Sequence, residues 1–150
     1  MAARADEARD EAARAQAFGY RLLEDGDYYR AITELKRFAF LAPESPDVFA
    51  AYLAVGRAYE LGGHAQDAVS WLKRLEPFAP TLQLRAELWV EVAYARYLAG
   101  TYEMAAADLT DLLSSSGALK DASEPTRFRA RYLRGWAMLN ANRVDDACDL

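Results

Sequence analysis

The stretch Gly19-Tyr-Arg-Leu-Leu-Glu-Asp-Gly26-Asp-Tyr-Tyr-Arg-Ala31 decides the fold, because the chain repeats its frame. Gly56-Arg-Ala-Tyr-Glu-Leu-Gly-Gly63-His-Ala-Gln-Asp-Ala68 has the same Gly, six residues, Gly, four residues, Ala. A third copy reads Ala93-Tyr-Ala-Arg-Tyr-Leu-Ala-Gly100-Thr-Tyr-Glu-Met-Ala105, and a fourth Gly135-Trp-Ala-Met-Leu-Asn-Ala-Asn142-Arg-Val-Asp-Asp-Ala147. Gly26, Gly63 and Gly100 stand 37 residues apart, and Pro43 and Pro80 keep that interval. The step to the fourth copy is 42, the five extra residues falling between Ser114 and Pro125. A fixed period of this size marks a supersecondary unit that buries its apolar face against copies of itself.

Apolar spacing identifies the unit as a helix pair. Tyr52, Val55 and Tyr59 recur at three and four residues, and after the turn Val69, Leu72 and Leu75, or Trp71 and Leu75, repeat that stripe. The pattern predicts antiparallel pairs over 12–25 with 28–42, 48–62 with 65–78, 84–99 with 102–113, and 125–141 with a helix from 144. Pro43 and Pro46 close the second helix, Pro77 and Pro80 the fourth, and Pro125 suits a first helical turn. Asp47, Thr81 and Ser123 are N-cap candidates. Gly117 stands where the third repeat lacks its closing proline, which predicts an early helix end or a loose loop there.

Composition narrows the class. The chain has 150 residues, 53% apolar and 27% charged, with Gly and Pro together only 13, which argues against disorder or low complexity. A chain this long buries roughly 68–70% of its unfolded surface. Its longest charge-free run, Val48 to Gly56, is nine residues, whereas a membrane span needs about 20. Met1 to Ala17 has no apolar run of the secretory type. A net charge of -5 with interspersed Lys and Arg argues against DNA and RNA as partners. The single Cys148 excludes an internal disulfide, and the single His64 excludes a His-rich metal site.

At the repeated residues the chain resembles the tetratricopeptide repeat family, a helix-turn-helix of about 34 residues with a small residue in helix A, Gly or Asn at the turn and Pro after helix B. The resemblance covers residues 12–150, with repeats over 12–45, 49–82, 86–119 and an incomplete 128–150, after an N-terminal helical extension at 1–11. It implies an all-α, right-handed superhelix, an α-solenoid of antiparallel helix pairs. The Pro43-Glu-Ser-Pro46 link before an Ala- and Tyr-rich helix resembles a bacterial periplasmic subgroup, the lipoproteins of outer-membrane assembly and the coordinators of the Tol-Pal system. The last repeat reaches Leu150 inside its second helix, and since solenoids finish in a polar capping helix, the reading expects a piece of a longer protein.

In that family the A helices line a concave groove. Register then implies a partner-binding surface of Tyr20, Leu53, Arg57, Glu87, Val90, Glu91, Tyr94, Tyr97, Tyr132 and Trp136. Many relatives hold acidic C-terminal tails in a clamp of Lys, Arg and Asn; the corresponding places here carry Gln16, Tyr20, Ala54, Glu87 and Glu91, so the clamp is absent. The resemblance therefore implies a protein or peptide partner whose docking segment is apolar, aromatic or mildly basic. Self-association along the ends of the solenoid is a further expectation.

Neither catalysis nor a cofactor is expected. The phosphate-loop and dinucleotide-binding glycine patterns are missing, and His64 lies in a Gly-rich turn. The acids of Glu24-Asp-Gly-Asp27 lack the remaining ligands of a calcium loop, and Asp145 and Asp146 read as turn residues. The expected activity is that of a non-enzymatic scaffold or adaptor. The alternatives are a periplasmic component of cell-envelope biogenesis and a helical regulatory domain of a larger enzyme.

Overall fold

Gly26, Gly63 and Gly100 adopt φ of 80, 79 and 80°, in the left-handed region where a side chain is strained, and each ends a helix in the same way. In this computed structural model, which describes the backbone of residues 2–148 and the side chains of residues 6–142, Asp27 N donates to Leu22 O (2.9 Å), His64 N to Tyr59 O (2.8 Å) and Thr101 N to Arg96 O (3.1 Å). Those bonds satisfy the terminal carbonyls of α1 (Ala2–Glu24), α3 (Val48–Leu61) and α5 (Leu82–Leu98). The chain then reverses into α2 (Tyr28–Leu41), α4 (Ala65–Lys73) and α6 (Tyr102–Leu113), and ends with α7 (Glu124–Cys148). Among the described residues there is no strand, and helices adjacent in sequence pack together within each unit.

The chain divides after Phe78 into two units. In the first, α1, α2 and α3 share a core of Ala12, Ala15, Leu35, Phe38, Ala51, Ala54 and Val55. Small residues permit close crossings: a methyl on Gly19 would lie 2.8 Å from Leu35, and one on Gly56 would lie 2.4 Å from Leu72. Sixteen residues separate each glycine from its leucine, and both leucines are fully buried. Helix α1 runs unbroken from Ala2, so the extension expected at 1–11 joins the first repeat helix as far as the described residues reach. Helix α4 is shorter than the 65–78 expected. Pro77 has no N–H to donate and its ring opposes the carbonyl of Lys73, so the chain passes into a 3-10 turn at Glu76–Phe78.

In the second unit Ala93 and Leu109, again sixteen residues apart, are fully buried in a core with Ala86, Val90, Leu119, Ala122, Ala130 and Leu133. The segment after α6 is packed rather than loose. Leu119 and Ala122 enter the core, Leu119 N donates to Leu112 O (3.0 Å), and the chain passes so close that a methyl on Gly117 would lie 2.3 Å from the carbonyl oxygens of Asp111 and Leu112. Thr81 caps α5, its hydroxyl accepting from Leu84 N (3.1 Å), whereas Asp47 makes no capping bond.

Helix α7 departs from the expected pattern. No turn forms at Asn142, and the helix continues to Cys148, so the fourth helix pair is not made within the described backbone. Asn lacks the strong bias out of the helix that glycine carries at the three earlier turns. Gly135 accordingly meets nothing within 4 Å where its counterparts receive a leucine.

Candidate interaction surface along α5 and α7

Helices α5 and α7 run in the same direction. Gln83 bonds to Ser123 and Thr126, Glu91 to Arg129, and Tyr97 to Asn140, in rising order along both. The α7 residues in the last two pairs, Arg129 and Asn140, flank Trp136 at helical spacing, so all three lie on one face beside Glu91, Tyr94 and Tyr97 of α5. Arg129 forms a two-pronged ion pair with Glu91, Nη2 donating to Oε2 at 3.1 Å, and its guanidinium lies 5.7 Å from the centre of the Tyr94 ring. Tyr94 and Tyr97 stack with ring centres 6.5 Å apart, and Tyr102 meets Tyr97 edge-on at 5.3 Å. Asn140 Nδ2 donates to the Tyr97 hydroxyl at 3.1 Å, which fixes that ring beside α7. Trp136 remains 43% exposed, with Tyr132 against it edge-on at 6.2 Å.

The residues expected to line the groove divide between the two units. Tyr20, Leu53 and Arg57 belong to the first: Arg57 is exposed, Leu53 half-buried, and Tyr20 half-buried against the core. Burial, reinforced by the Asp47 carboxylate, raises the Tyr20 phenol above its ordinary value. Glu87, Val90, Glu91, Tyr94, Tyr97, Tyr132 and Trp136 belong to the second. Val90 must be corrected. It is 1% exposed and packs with Ala93, Leu109 and Leu133, so no partner can reach it. The two acids are also engaged: Glu87 accepts from Gln83 at 2.8 Å and Glu91 is paired with Arg129. Glu91 thus presents a neutralised carboxylate rather than an open negative charge.

The first unit engages Trp71 internally. Trp71 donates from Nε1 to Tyr52 O (2.8 Å), and the Lys36 ammonium lies 4.3 Å from the Trp71 ring centre. Gln83 and Asn140 were not among the expected site residues. Both are neutral amides whose role depends on a helix about 40 residues away, and no local pattern marks them.

Among the described residues no cluster of three or more His, Cys, Asp or Glu is placed to hold a metal, and no helix is long and apolar enough to cross a membrane. His64 Nδ1 is 3.7 Å from Asp67, with both side chains two-thirds exposed. Asp27 is engaged as a helix cap, accepting from Arg30 N. The side chains of Asp145, Asp146 and Cys148 lie outside the described residues. No protein-family model matches the chain, and no curated protein or solved structure matches it.

Proposed function

We propose that the chain is a non-enzymatic interaction module of the tetratricopeptide type, a right-handed superhelix of antiparallel helix pairs, which binds a partner peptide or helix along the α5/α7 seam. The observation that carries this reading is the alignment of Tyr94, Tyr97 and Trp136 on two parallel helices, with Trp136 43% exposed and Glu91 neutralised by Arg129. The three matching hairpins support the repeat type, since each pairs a small residue with a leucine sixteen residues on and turns on a left-handed glycine. The seam favours an apolar or aromatic segment: no uncompensated charge at Glu91 attracts a strongly charged one. One aromatic side chain buries about 150–250 Å² at roughly 25 cal/mol per Å², so two anchors support micromolar affinity after the cost of association.

Selection of peptides from a random display library on the intact chain, followed by calorimetry, tests this. Enriched peptides should carry aromatic and aliphatic residues, bind in the micromolar range, and lose about tenfold or more in affinity to Trp136→Ala or Tyr94→Ala. Failure to enrich any peptide, or undiminished binding to both variants, would overturn the reading.

A further inference from the structure

We infer that α7 pairs antiparallel with α7 of a second copy of this chain, along the stripe Phe128, Tyr132, Gly135 and Leu139. These positions are four, three and four residues apart, the spacing of a helix seam. Phe128 is 65% exposed, Tyr132 62% and Leu139 43%. The counterparts of Phe128 in the earlier repeats are closed: Ala12, Phe49 and Ala86 are 3%, 5% and 2% exposed. Gly19 and Gly56 each receive a leucine and Ala93 is fully buried, whereas Gly135 meets nothing within 4 Å. Thus α7 leaves open, at Phe128 and Gly135, two positions that every earlier repeat buries.

The pattern of side-chain sizes selects the occupant. With a twofold axis between Leu133 and Arg134, Tyr132 of one copy lies on the bare backbone of Gly135 of the other, and Phe128 lies against Leu139. Each contact occurs twice, as a self-complementary interface requires. A parallel pair would set ring on ring at Phe128 and Tyr132 and leave a hole at Gly135. In the antiparallel register the flanking positions place Arg129 beside Trp136 and Arg131 beside Met138, so no two arginines meet. Five of the thirteen large apolar side chains exposed among the described residues lie on α7: Phe128, Tyr132, Trp136, Met138 and Leu139. They present on the order of 500 Å² per copy, or about 1,000 Å² for two, at the small end of specific interfaces, which points to a weak, concentration-dependent dimer. Trp136 belongs both to this surface and to the proposed peptide seam, but Phe128 and Leu139 belong to the pairing alone, so their substitution tests it separately from peptide binding.

Sedimentation equilibrium of the intact chain from about 1 to 300 μM tests the pairing. The expected result is a monomer–dimer equilibrium with Kd in the tens of micromolar, weakened about tenfold or more by Phe128→Glu with an unchanged circular dichroism spectrum. A second experiment reads the register in a Cys148→Ser background. Equal amounts of chains carrying Phe128→Cys and chains carrying Leu139→Cys should form the mixed disulfide almost exclusively, far above the 1:2:1 ratio of random coupling, and this decides the matter even if Phe128→Glu fails to fold. A wild-type chain that stays monomeric throughout would overturn the inference, whether the seam then takes a foreign helix or more of its own chain. Like and mixed disulfides in the random 1:2:1 ratio, or like pairs in excess of it, would overturn the antiparallel register.

Discussion

Gly56 and Leu72 cross so closely that a methyl on the glycine would lie 2.4 Å from Leu72 Cδ2, closer than Cβ atoms come in real proteins. Alanine there should help the helix by about 0.5–1 kcal/mol through backbone entropy but cost about 1–3 kcal/mol through overpacking, since Leu72 is fully buried and has nowhere to go. Gly135 occupies the equivalent register position without a neighbour, so only the favourable effect remains there. Urea unfolding at micromolar protein, where the chain is monomeric, should therefore show Gly56→Ala less stable than wild type and Gly135→Ala more stable. Shifts of the same sign would mean that the two glycines do not differ in packing, and that the close crossing at Gly56 or the open face at Gly135 is wrong.

Gly63 isolates the cost of backbone conformation. Its φ is 79° and a Cβ would touch nothing within 4 Å, so Gly63→Ala introduces no clash. The left-handed conformation alone should make that variant about 1–2 kcal/mol less stable, and Gly63→Asn should recover part of the loss because Asn tolerates this region. Thermal unfolding of the three chains checks the order Gly, Asn, Ala; equal melting temperatures would contradict the strained turn.

The hairpins were legible because their signals are local. A glycine at C′, a small residue one turn before the helix end and a proline after the second helix act within a few residues, and α6 covers the 102–113 that those signals predict. Two features were not legible. Asn142 occupies the turn position in the fourth frame, but Asn is compatible with both helix and turn, and α7 continues through it. Val90 occupies a groove position by register, yet it turns inward because Leu109 and Leu133 close over it, and that depends on which helices surround α5. The aromatic seam was partly legible: Tyr94, Tyr97 and Trp136 follow from register, while Arg129 and Asn140 are tied to α5 by pairings across about 40 residues.

Gln83 should matter more than an amide on a helix usually does. Its Oε1 accepts from Ser123 N (2.9 Å), while Nε2 lies 3.0 Å from the Ser123 hydroxyl and 2.9 Å from that of Thr126, which is buried. Gln83→Ala leaves the Ser123 N–H without its acceptor at the start of α7, the two hydroxyls keeping each other at 2.9 Å, at a cost of about 1–2 kcal/mol. Hydrogen exchange should quicken about tenfold at Ser123 and through the first turn of α7, while the α1/α2 hairpin is unaffected. Unchanged exchange at Ser123 would show that α7 is held by its apolar face alone.

Tyr20 gives the fold an alkaline limit. Burial, and then the nearby Asp47 carboxylate, raise its phenol above the ordinary 10.0, so the folded state resists an ionisation that the unfolded chain undergoes freely. The contribution of Tyr20 to stability is therefore complete below about pH 10 and is lost as pH rises through the higher folded value. Tyr20→Phe keeps the ring and removes the titrating group. Melting temperatures of the two proteins should stay close at about pH 8 and diverge above about pH 10, with the wild type falling faster. If the two curves remained parallel to pH 11, the Tyr20 phenol would have to be solvated in the folded chain, and its packing against the α1–α3 core would be wrong.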